Sequence, residues 1–167
     1  MVSAKFRIFI GYLAFLLLLK VTVIQGQILK DTASLNILKS GVDDIYNFRF
    51  DKAHDVAQKL NQSFPGHPVV YLLEGMITYW ENYPLIPSSP ACISYDNDMR
   101  TCIRLCEESS DSDDYPEYLL GNLGARGMLL MFYADNNMSE NVFPLAKSTY
   151  RYLRQCFDYS LVYPDFY

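Results

Sequence analysis

Residues 35–80 read LNILKSGVDDIYNFRFDKAHDVAQKLNQSFPGHPVVYLLEGMITYW, and the fold is decided by this stretch. Leu35, Leu38, Val42, Ile45 and Tyr46 recur at steps of three and four, which sets them on one face of a helix. Asp51 is suited to cap a second helix, whose apolar face is Ala53, Val56, Ala57 and Leu60. Pro65-Gly66-His67-Pro68 then breaks the chain. Pro68, at a first-turn position where proline is tolerated, opens a third helix through Tyr71, Leu72, Gly75, Met76, Tyr79 and Trp80. Gly41 and Gly75 stand 34 residues apart; Ala53 follows Gly41 by 12, and Pro65 follows Ala53 by 12. Small residues at Gly41 and Ala53 let two antiparallel helices approach closely, and Pro65 ends the second one.

Outward from this stretch the pattern stays helical. Residues 84–90 hold three prolines and form a loop. A fourth helix is expected over 96–108, with Met99, Cys102, Ile103 and Cys106 on its apolar side. A polar connector (109–114) leads to a fifth helix from Tyr115-Pro116 to about Tyr133, and an Asn-rich turn (134–140) to a sixth over 142–159. No stretch alternates with period two, so the chain reads as all-α.

The 34-residue interval and its small residues resemble the tetratricopeptide repeat, a helix–turn–helix unit. That resemblance implies antiparallel hairpins stacked as a right-handed solenoid, with the first helix of each unit lining a concave groove. Two positions depart from the pattern. Ile37 stands where an aromatic residue is expected, although Tyr71 fills the matching place one unit on, and Ala57 replaces the large aromatic residue expected four after Ala53. A second spacing supports a repeat: Pro68, Pro116 and Pro164 are 48 residues apart and open similar text. The added length over 34 fits an enlarged connection within a unit. The expected units are about 34–67, 68–115 and 116–163, with a further one starting at 164. Because the chain stops four residues into that unit, a fragment or early stop of a longer array is expected.

Lys5 and Arg7 precede a 12-residue apolar run, Ile8 to Leu19, followed by Lys20 and then Gln25-Gly26-Gln27. A basic start, a short apolar core and a small residue at the cut form a secretory signal peptide over 1–26, cleaved near Gly26. An uncleaved anchor is the rival reading, but spanning a bilayer takes about 20 apolar residues and Lys20 interrupts the run. The Gly-Gln ending resembles signal peptides of exported proteins from Bacteroidota-type bacteria, which implies a periplasmic or envelope location. The whole chain carries 14 Lys and Arg against 19 Asp and Glu. Removal of 1–26 takes away three basic residues and no acid, leaving a net charge of −8. Such a chain is not built to bind a phosphate backbone, so nucleic acid is not an expected partner.

The chemistry-bearing residues are few. His54 lies beside Asp55 on the second helix, and His67 is a turn residue expected to touch neighbouring backbone. No motif ties either to a nucleophile or to a third metal ligand, so no catalytic residue, metal or cofactor is expected. Cys92, Cys102, Cys106 and Cys156 are either small core residues or, in an oxidising compartment, disulfide partners in any of three pairings. Residues 107–114 are acidic, but they lack the glycine of a calcium-binding loop. Asn61-Gln62-Ser63 and Asn137-Met138-Ser139 match the glycosylation acceptor, which has meaning only in a eukaryotic secretory pathway.

Tyr79 and Trp80, with Tyr46 at a repeat-related position, combine aromatic mass with first helices. They are the candidates for a groove that clasps a peptide or partner helix; the competing reading packs the same rings between repeats. The sequence thus points to a non-enzymatic interaction or scaffold protein of the cell envelope. The alternatives are a helical module preceding an envelope enzyme's catalytic part beyond Tyr167, and a purely structural spacer. A membrane contact is expected only through an uncleaved signal segment.

Overall fold

A computed structural model describes residues 27–109 and 115–162. The signal segment, the connector 110–114 and the start of a unit at Pro164 lie outside the described residues. Among the described residues the chain is all-α. Its six helices are α1 (Thr32–Tyr46), α2 (Phe50–Ser63), α3 (Pro68–Glu81), α4 (Pro90–Glu108), α5 (Tyr115–Asp135) and α6 (Ser139–Val162). None of the described helices is long and apolar enough to cross a membrane.

Local chemistry sets the boundaries. Asp31 caps α1, its Oδ2 accepting from the Ser34 amide at 2.9 Å. Arg49 reaches back to Asp44 (2.5 Å) and Asp43 (2.7 Å), which fixes the turn into α2. The helix therefore starts at Phe50, with Asp51 in its first turn instead of at the expected cap. Gly66 takes φ +76° in the next turn, a conformation that favours glycine, and His67 caps α3 ahead of Pro68.

The fourth helix departs from expectation by six residues. Ser89 caps it, its Oγ accepting from the Cys92 amide at 3.1 Å, and Pro90 occupies the first turn. Pro90 thus acts as a helix starter and not as the last residue of a loop. The early start buries Cys92 and Tyr95 alongside Met99, Cys102 and Cys106. The sixth helix likewise begins earlier, at Ser139.

Each helix packs on the next in sequence, and α3 also touches α1 and α5. Two apolar clusters result. The first joins Ile45 of α1, Ala53, Val56, Ala57 and Leu60 of α2 and Val69, Val70, Leu73 and Ile77 of α3, closed by Ile28 from the N-terminal segment. The second joins Tyr79, Tyr95, Met99, Cys102, Cys106, Tyr118, Leu129 and Phe132 across α3, α4 and α5. Helix α3 serves both clusters, and each large side chain fully buried in them stabilises the fold by about 1.5–3 kcal/mol.

Close approach occurs where the small residues are. A Cβ on Gly41 would stand 2.7 Å from Val56 Cγ1, and one on Gly75 would stand 2.1 Å from Met99 Cε. Each glycine therefore faces the helix that follows its own. Ala53 is fully buried, and Pro65 lies exposed in the α2–α3 turn.

Candidate functional site

The aromatic candidates separate into core and surface. Adjacent residues on a helix point about 100° apart, so Tyr79 and Trp80 cannot share one wall. Tyr79 turns inward, its ring 5.5 Å from that of Tyr95, and its hydroxyl donates to Asp135 at the end of α5. Burial, then Asp135, pushes that hydroxyl's pKa up. The groove assignment of Tyr79 is thereby corrected: it is a core residue.

Trp80 is half-buried and packs against both clusters. Its ring lies 6.0 Å from Tyr46 and 5.6 Å from Tyr83. The indole Nε1 is buried and has no hydrogen-bond partner among the described residues. Tyr46 is 61% exposed and Tyr83 56%. The result is an aromatic row, Tyr46–Trp80–Tyr83, across the C-terminal ends of α1 and α3, with two open rings flanking a shielded one. Phe48, in the turn after α1, is 74% exposed. Such ring faces accept apolar or cationic groups. Tyr83 was not singled out from sequence because it follows the helix, outside any periodic face.

His67 is buried, although a turn residue need not be. Its Nδ1 accepts from the Val69 amide at 3.3 Å, its Nε2 lies 3.3 Å from Glu117 Oε1, and its ring stacks on Tyr118 at 5.8 Å. Burial pulls its pKa down from 6.5 to about 4. Glu117 also accepts from the Ile28 and Leu29 amides at 3.0 and 3.1 Å. This buried cluster ties the N-terminal segment, the α2–α3 turn and α5 together. It contains no nucleophile and is read as structural. His54, by contrast, sits at the surface, 3.3 Å from Glu81 and 3.7 Å from Glu74.

A second polar junction centres on Arg126 of α5. It donates to Asn122 (2.6 Å), Ser148 (2.8 Å) and Glu107 (2.7 Å), and its guanidinium lies 4.7 Å over the Tyr152 ring. Sequence reading missed Glu117, Asn122 and Arg126. The available signal was their position in a helix apolar on nearly every side, where polar residues become buried ones.

All four cysteines are buried and unbridged, which corrects the disulfide alternative. Cys92 sits in the first turn of α4, ten residues before Cys102, or about 15 Å along the helix. A disulfide needs Cα atoms within about 7 Å. Cys102 and Cys106 pack beneath Gly121, and the Cys102 thiol donates to the Gly121 carbonyl at 3.6 Å. The hydrogen bond with Cys102 and burial push the Cys106 thiol pKa well up, which keeps Cys106 a protonated core thiol. Among the described residues no three His, Cys, Asp or Glu side chains stand together as a metal site. Set beside known proteins, the chain matches no family model, no curated protein and no solved structure.

Proposed function

We propose that this chain is a non-enzymatic, exported interaction module of the cell envelope, built as a tetratricopeptide-like array and binding a peptide or partner helix. The observation that carries this reading is the aromatic row Tyr46–Trp80–Tyr83, with its two outer rings open to solvent. Large rings held over a packed floor suit hot-spot contacts with an apolar segment. The array part of the reading rests on the paired close approaches at Gly41 and Gly75. It rests also on α6, where Phe143, Tyr150, Leu153, Phe157 and Leu161 are exposed.

Trp80 touches both cores, so its removal would confound binding with folding. The informative variants are Tyr46→Ala and Tyr83→Ala. Together they are expected to abolish capture of a partner from envelope extract while leaving helix content and melting temperature unchanged. Undiminished capture by the double variant would remove the aromatic row from the function.

A further inference from the structure

The face opposite in character to the aromatic row is a trough between α4 and α6, floored by α5. Three adjoining cavities of about 740, 580 and 350 Å³ share lining residues and follow α4 from Cys92 to Cys106. At 1.5 Å per residue this run is about 21 Å long, the reach of about six residues of extended chain. Six arginines occur in 27–167, and four of them line this trough: Arg100, Arg104, Arg126 and Arg151. That concentration stands out in a chain whose mature net charge is −8.

Three carboxylates share the lining: Asp96, Glu107 and Glu140. Two are engaged, Asp96 with Arg100 at 2.6 Å and Glu107 with Arg126 at 2.7 Å. Arg126 is buried and shapes the floor. Arg100 and Arg104 are 60% and 57% exposed; they form one-turn pairs with Asp96 and Glu108, and Arg100 also donates from Nη2 to the Tyr133 hydroxyl at 3.1 Å. Exposed pairs of this kind are weak and exchange readily for another carboxylate. Arg104 meets Glu108 through Nη1, and a guanidinium carries five N–H donors, so donors remain for an incoming group. Asn97 on the α4 wall and Asn141 on the α6 wall are both exposed, and each amide can donate to and accept from a peptide backbone.

We propose that the α4–α6 trough binds an extended acidic peptide segment of a partner protein, with Arg100 and Arg104 taking its carboxylates and Asn97 and Asn141 its backbone. The aromatic row lies on other helices, so the two surfaces stand or fall separately.

Fluorescein-labelled hexaglutamate, titrated with the chain and followed by anisotropy, is the probe. Saturable binding that weakens as salt is raised is expected, with no binding of labelled hexaserine, which carries no carboxylate side chains. The R100Q/R104Q double variant should bind about tenfold more weakly or worse, with its helix signal and melting temperature unchanged, because both side chains are exposed. N141A, on the opposite wall, provides an independent variant and should also weaken binding. Tyr46→Ala should leave hexaglutamate binding intact. Failure of the wild-type chain to bind hexaglutamate saturably, or equal binding by R100Q/R104Q and wild type, overturns the proposal.

Discussion

His67 is held neutral because each ring nitrogen has a different task. Nδ1 accepts the Val69 amide as a helix cap, which leaves the proton on Nε2, facing Glu117. Protonating Nδ1 would remove that cap in a site where charge is already costly, and burial pulls the pKa from 6.5 to about 4. A depressed folded pKa means that this contribution to stability is fully present above about pH 6.5 and is lost as pH falls through about 4. Its size is about 3 kcal/mol at most. Asp98 works in the opposite sense: burial and then Glu74 raise its pKa to about 6, so its contribution is present below 3.8 and lost as pH rises through 6. A His67→Asn variant keeps a good capping residue and leaves Asp98 untouched. Denaturant midpoints measured for both chains from pH 7 to pH 4 should therefore fall more steeply in the wild type. Parallel profiles would show that the ring's neutrality contributes nothing. That His67 sits in the α2–α3 turn was legible from Pro65-Gly66-His67-Pro68. Its burial was not, because Glu117 and Tyr118 come from a helix 50 residues on, and no local pattern encodes that meeting.

At the scale of elements, glycine placement and helix starts tell opposite stories. Gly41 and Gly75, 34 residues apart, were legible as close-packing positions, and each lies against the following helix. A leucine at Gly41 would drive into Val56 Cγ1, 2.7 Å from the first added carbon, and Leu73 Cδ2, 3.3 Å away. Val56 is β-branched, with little rotameric freedom to yield. Gly41→Leu should therefore destabilise the chain by roughly 1–3 kcal/mol, read as a lower denaturant midpoint with an unchanged slope. A variant as stable as wild type would mean that α1 and α2 do not meet in this register. The start of α4 was misread because proline carries two meanings. Pro84 and Pro87 break the chain, whereas Pro90 directly after Ser89 begins a helix. A density of prolines hides that distinction, which depends on the capping serine.

Across the whole molecule, the segment just after the expected cleavage point acts as a tie between distant parts. Ile28 fills the first apolar cluster, and the amides of Ile28 and Leu29 donate to Glu117, 89 and 88 residues later. Five residues thus join the α1–α3 core to α5, which packs with α4 and α6. The sequence marked Gln27 as the start of the mature chain but offered no sign that Ile28 and Leu29 are structural. They are too few to show a period, and their carboxylate partner lies in another hairpin. A chain beginning at Thr32 loses the burial of Ile28, about 2–3 kcal/mol, and two hydrogen bonds to a charged acceptor, about 1.5–3 kcal/mol each. It also loses the Asp31 cap of α1, about 1 kcal/mol. Neighbouring losses do not add fully, so a drop of about 4 kcal/mol or more is expected relative to a chain beginning at Gln27. Urea unfolding of the two chains measures it, and hydrogen exchange at the Ile28 and Leu29 amides in the longer chain supplies a second reading. Protection of those amides close to the global stability would make the segment an integral part of the fold, whereas equal midpoints for the two chains would reduce it to a passive extension of α1.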